Sequence, residues 1–169
     1  KISLLKFYFL TFILSISLYS LGNAENEFLL DPAITYGKLE NGFTYYIREN
    51  QTPKDKVSIK LIIKAGSIME EENQLGLAHL LEHMAFNGSI NFPKRKIDEY
   101  MSSIGLNIGS HYNASVGFLK TNYVYEIPTN NDDDVEVALK ILTDISKNLS
   151  LEHEAFERER KIVEEEWRT

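Results

Sequence analysis

The sequence predicts an α+β fold, a mainly antiparallel sheet with helices packed on one face, and three observations point to it. Asn41-Gly42 sits between two β-prone segments, the strongest short-range signal for a hairpin. Val57 to Ala65 sets Val57, Ile59, Leu61 and Ile63 against Ser58, Lys60, Ile62 and Lys64, the period of two of a half-buried strand. Helical patterns then alternate with a stretch rich in β-branched and aromatic residues. The 169 residues, 43% hydrophobic and 25% charged, suit one domain with a packed core.

Taken in order, Ile34 to Leu39 and Phe43 to Ile47 form the opening hairpin, and Val57 to Ala65 is expected inside the sheet. After the polar Glu70-Glu71-Glu72-Asn73 stretch, Leu75 to Phe86 reads as a helix stopped at Asn87-Gly88. Lys94 to Ile104 is a second helix, ended by Gly105. Asn107 to Ser115 and Phe118 to Ile127 follow as strands, the latter closed by Pro128. Two longer helices finish the chain, Asp133 to Lys147 with Val135, Leu139, Leu142 and Ile145 on one side, and Leu151 to Trp167. The order is hairpin, strand, two helices, two strands, two helices.

Composition excludes several kinds of chemistry. A net charge of −7 with scattered basic residues argues against nucleic acid as a partner. With no cysteine there is no disulfide or thiol catalysis, and metal binding falls to histidine and carboxylates. Residues 1–24 read as a secretory signal: Lys1 and Lys6, an apolar stretch from Phe7 to Leu18, then small Gly22 and Ala24 at the cleavage site. A membrane anchor is the competing reading, but the run is shorter than about 20 apolar residues and contains Thr11, Ser15 and Ser17. No stable anchor is therefore expected after cleavage, and the mature region is 25–169, placed in the periplasm or outside the cell.

The chemistry concentrates in His79-Leu80-Leu81-Glu82-His83. At about 100° per residue, positions 79, 82, 83 and 86 share one helix face, while Leu77, Leu80, Leu81 and Met84 lie nearly opposite. Two histidines one turn apart chelate a single metal ion, and a carboxylate on the same face can take a proton from metal-activated water. Glu82 is the expected general base. The order His-x-x-Glu-His is the inverse of the common zinc-protease motif. A plainer reading, two surface histidines on an amphipathic helix, leaves the glutamate in register unexplained.

A catalytic zinc needs a third protein ligand and an open position. In the last helix Phe156, Glu159, Val163 and Glu166 fall at offsets of three, seven and ten, so both glutamates share a side with apolar residues. A carboxylate on a buried face needs a partner, and a metal is a good one. Glu166 is the expected third ligand, with Glu165 taking its place if the helix is overwound; Glu164 and Glu165 otherwise point to solvent.

His79 to Ser89, reading HLLEHMAFNGS, then Asn91-Phe92-Pro93, Tyr112-Asn113-Ala114-Ser115, and Glu159 to Trp167 together resemble the N-terminal domain of the M16 peptidases. These include the pitrilysin, insulysin and mitochondrial processing peptidase relatives, and the likeness is nearest to bacterial periplasmic members. It runs from about Gly37 to the end and implies a partial LuxS/MPP-like metallohydrolase domain. It further implies one Zn²⁺ held by His79, His83 and Glu166, with Glu82 as base and Glu159 as a catalytic-site carboxylate that orients a ligand. The strand at Asn113 and Ala114 would pair with extended peptide or unfolded protein. His111 is read as a structural histidine and His153 as an exposed one. In such a family the unit continues past the distal glutamate and is completed by a second M16-type domain, in the same or another chain, whose arginine and tyrosine hold substrate. The implied activity is zinc-dependent endopeptidase action. The alternatives are a binding or assembly module that keeps the fold without cleavage, and a fragment inactive until its second domain is present.

Overall fold

The computed structural model describes residues 29–168, so the expected signal at 1–24 lies outside the described residues. The chain divides into two compact units, Lys1–Gln51 and Thr52–Thr169.

The first unit carries the hairpin, β1 (Ile34–Lys38) and β2 (Thr44–Arg48), paired antiparallel. Its turn is tied by Asn41, whose side-chain oxygen accepts from the Phe43 amide at 3.0 Å, the local bond that makes asparagine a turn residue. Tyr36 and Tyr46 face each other across the strands with ring centroids 5.2 Å apart.

The second unit runs β3 (Lys56–Ile63), two 3₁₀ turns (Ser67–Met69 and Glu72–Gln74), α1 (Leu77–Met84), α2 (Lys96–Ser103), β4 (Tyr112–Val116), β5 (Thr121–Pro128), α3 (Asp132–Lys147) and α4 (His153–Glu166). Its three strands are all antiparallel in the order β3-β5-β4. β3, expected inside, is therefore an edge, and β5 is central. Alternation reports that one face is buried, which holds equally for edge and centre. The registers align one buried face: Val57 opposes Ile127, Ile59 and Tyr112 flank Tyr125, and Leu61 and Ala114 flank Tyr123. Helices cover that face, Ile97 and Met101 of α2 and Ile141 and Ile145 of α3 joining the strand residues in one core. The opposite face presents polar Ser58, Lys60, Asn113 and Glu126.

Most boundaries shift by one or two residues, and the starts of two strands move further. Residues 107–111 are a turn, with the Asn107 amide donating to His111 Nδ1 at 3.1 Å, so β4 begins only at Tyr112. Gly117 to Lys120 is the hairpin turn into β5, closed by the Gly117 amide donating to the Lys120 carbonyl. On α3 the buried side is Ala138, Ile141, Leu142 and Ile145, whereas Leu139 is half exposed. The face is rotated from the expected one because Asp134 and Asp144 are buried on it as well. Among the described residues no helix is long and apolar enough to cross a membrane.

Candidate metal centre

Helix α1 is set at both ends. Gly76, its N-cap, has φ of 87°, a left-handed conformation that costs a side-chain-bearing residue. Glu70 caps the helix from six residues upstream, its carboxylate accepting from the amides of Gly76 (3.0 Å) and Ala78 (2.7 Å). The segment leading to Glu70 is pinned against the β4–β5 turn, where Ser67 and Ile68 donate to the carbonyls of Gly117 and Phe118. A Cβ on Gly66 would collide with the Gly117 carbonyl oxygen, so this close approach requires glycine.

After α1 the chain is held by one buried acid. Asp144 of α3 accepts from Ser89 Oγ (2.6 Å), the Asn91 amide (2.9 Å), Asn91 Nδ2 (2.8 Å) and Asn148 Nδ2 (2.9 Å). Burial alone would raise its carboxyl, but these hydrogen bonds outweigh it and hold the group below its ordinary range. The Ser89 and Asn91 of the quoted motif thus anchor the exit of α1. Sequence reasoning missed both Glu70 and Asp144. Glu70 stands in a polar run and Asp144 falls outside the apolar side expected for α3, so neither carried a signal of its own.

α1 and α4 pack through Leu80, Met84 and Val163, with Ala155 and Phe156 against them. Leu77 and Leu81, expected on the same apolar side, are rotated off this seam and exposed at its margin. The seam brings the polar faces together in antiparallel sense: His79 Nε2 lies 3.3 Å from Glu166 Oε2, and His83 Nδ1 lies 3.3 Å from Glu159 Oε2. Glu166 Oε2 is also 3.5 Å from His83 Nε2, so one carboxylate oxygen faces both imidazoles. The two rings are edge-on, with centroids 4.9 Å apart. His79, Glu82 and His83 each offer a donor atom within 4.8 Å of the others.

Glu82 is buried, with Oε2 3.9 Å from His79 Nε2. Burial raises its carboxyl above the ordinary range, the two imidazoles oppose the rise, and Glu166 adds to it. Glu159 is buried, while Glu166 is half open. Glu165 turns away to pair with Arg168 at 2.6 Å, and Glu164 pairs with Arg160 at 2.6 Å, so neither faces the histidines. His111 is engaged in the 107–111 turn and His153 is exposed. Asn113 and Ala114 lie on β4, whose outer edge bridges to Ile108 at Tyr112 and carries no further strand among the described residues. Its Val116 shares a cavity of about 750 Å³ with His79, Phe156, Glu166 and Trp167.

The donor set fits zinc. Tetrahedral bonds of about 2.0–2.1 Å place neighbouring ligand atoms about 3.3–3.4 Å apart. The separations of Glu166 Oε2 from His79 Nε2 and His83 Nε2, 3.3 and 3.5 Å, match that spacing.

The profile of the family described as Insulinase (Peptidase family M16) matches residues 45–169. The chain belongs to the M16 peptidase family. Among M16 relatives, it is 37% identical over 161 residues to the probable zinc protease PqqL of Haemophilus influenzae, covering 93% of this chain and 17% of that protein. It is 35% identical to a zinc protease PQQL-like protein of Arabidopsis thaliana, covering 88% of this chain and 15% of that one. The crystal structure of the periplasmic protease PqqL from Escherichia coli superposes with a TM-score of 0.80 at 35% identity, covering 83% of this chain and 16% of that chain. The first half of the same protease, solved separately, gives 0.79 at 36% identity over 82% of this chain and 30% of that chain. The chain thus spans about a sixth of the length of these full-length M16 relatives, and the mixed fold of helices and antiparallel sheet is that of their N-terminal domain.

Proposed function

We propose that this chain carries the metal-binding part of a zinc-dependent endopeptidase that hydrolyses peptides or unfolded protein segments in the periplasm. The observation that carries the reading is the convergence of His79 Nε2 and His83 Nε2 on one oxygen of Glu166. His79, His83 and Glu166 would hold one Zn²⁺. Bound there, the metal supplies a water that loses a proton near neutral pH and a Lewis acid for the peptide carbonyl.

Every other task falls to side chains and backbone. Glu82 takes the proton of the attacking water and delivers it to the leaving amine as the C–N bond breaks, a base whose burial strengthens its hold on a proton. Glu159 receives the Nδ1 hydrogen of His83, which fixes that ring with Nε2 toward the metal. The free edge of β4 at Asn113 and Ala114 pairs with extended substrate as an added strand, a recognition mode in which backbone gives affinity and tolerates many sequences. A second M16-type domain closes the site, as the two-part architecture of the Escherichia coli relative supports. The periplasmic location of the Escherichia coli relative, together with the signal-like 1–24 segment, supports the compartment.

The test is cleavage of an unfolded protein by the chain joined to its second half, comparing wild type with Glu82→Gln. The reading predicts that the variant keeps its zinc and loses cleavage. Undiminished cleavage by the variant removes Glu82 as the base, and a zinc-loaded wild type that cleaves nothing favours the binding-module alternative.

A further inference from the structure

We infer that Arg158 and Asn87 are positioning residues for His83, closing a ring of hydrogen bonds that aims its imidazole at the metal; this rests on the zinc reading above. The ring can be followed atom by atom. His83 Nδ1 faces Glu159 Oε2 at 3.3 Å. The other oxygen of Glu159 accepts from Arg158 Nε at 3.3 Å. Arg158 Nη2 donates to Asn87 Oδ1. Asn87 Nδ2 donates to the carbonyl of His83 itself at 3.1 Å, which returns the path to its starting residue.

Each link does something the others cannot. A carboxylate on a three-torsion side chain can turn either oxygen, or neither, toward a neighbouring ring; a donor fixed on Oε1 leaves Oε2 for His83. Arg158 is that donor, and it is itself held because its guanidinium reaches two acceptors at once through a planar fork. Asn87 lies one turn beyond His83, where the i, i+4 spacing places its amide over the last turn of α1. Its two ends are both spoken for, so the amide has one orientation and the fork one target. The ring therefore couples the imidazole side of His83, through α4, to the backbone of the same residue.

Stability is not the purpose of such a ring. Arg158 is about half exposed, and ion pairs of that kind contribute little to folding. Partners that orient metal ligands instead govern affinity for the metal, typically by 10–100-fold. A lysine at 158 would keep the charge and lose the fork, because an ammonium is a point donor.

The experiment is the zinc dissociation constant of the full-length protein by chelator competition, for wild type, Arg158→Leu, Arg158→Lys, Asn87→Ala and the Arg158→Leu/Asn87→Ala double variant. Unfolding midpoints of the zinc-free proteins are measured alongside. The expected result is about tenfold weaker zinc binding in each single variant, lysine included, with the double variant weaker by much less than the product, and zinc-free midpoints close to wild type. Wild type binding one zinc with Arg158→Leu unchanged, Arg158→Lys restoring full affinity, or losses that multiply independently would each overturn the inference. Wild type binding no zinc would instead bring down the zinc reading, and this inference with it.

Discussion

Glu82 is buried while the two histidines beside it remain partly open, a difference that suits the separate tasks proposed for them. A partly open imidazole is within reach of a metal ion, whereas burial holds the Glu82 carboxyl above its ordinary range, as the proposed base requires. Glu82→Gln preserves size and polarity, so the account expects cleavage to fall by about 10²–10⁴-fold with zinc content unchanged, checked by steady-state kinetics beside metal analysis. Glu159→Gln removes the carboxylate against Nδ1 of His83 and is expected to weaken zinc binding by about 10–100-fold, read by chelator competition. At this scale much was legible in the sequence. Helix geometry alone puts His79, Glu82 and His83 on one face and gives Glu159 and Glu166 a common side, and the structure brings those side chains together. What periodicity could not give was the difference between the two glutamates. Glu159 is enclosed by the α1–α4 seam and Glu166 stands at its open end, a distinction made by the partner helix and absent from α4 itself.

Helix α1 has only eight residues, too few to be stable alone, so its position depends on what holds its ends. At the start, Gly76→Ala forces a side chain into the left-handed region and is expected to cost about 1–2 kcal/mol by urea denaturation. At the exit, Asp144→Ala strips the common acceptor from Ser89, Asn91 and Asn148 and is expected to cost about 2–4 kcal/mol. The same acid gives a pH dependence of known sign. Its folded carboxyl is held below the ordinary range, so the unfolded chain takes up its proton first as pH falls. The contribution is complete above the unfolded aspartate range near pH ~3.9 and disappears as pH drops through the lower folded range. Urea midpoints at pH 7 and pH 3 should therefore converge for wild type and Asp144→Asn in acid and differ most at neutrality. Neither support was legible from the chain. Glu70 reads as part of a polar loop until the 3₁₀ turns carry it over the Gly76 amide, and Asp144 reads as a solvated polar position until the loop at Ser89 and Asn91 covers it. The element order and the alternation of β5 were legible; the edge position of β3 was not, since pairing partners lie far apart in sequence.

In the second unit, α1 and α4 approach through a small apolar seam of Leu80, Met84 and Val163, with the histidines and glutamates lying along the same contact. A metal bridging the two helices would add to that seam only in the folded state, so the proposed site links zinc binding to folding. At free zinc about 100 times its dissociation constant the gain is about 2.7 kcal/mol, and a chelator should remove it, lowering the thermal midpoint of wild type but not of His79→Ala. That linkage is the whole-molecule consequence of a site built from two helices rather than one. The claim beneath it is that Glu166, and not its neighbour, completes the set with His79 and His83. Elemental analysis of purified wild type, Glu166→Gln and Glu165→Gln tests this most directly. The account predicts one zinc per chain in wild type and Glu165→Gln and none in Glu166→Gln; zinc absent from wild type, or retained by Glu166→Gln and lost from Glu165→Gln, would contradict it.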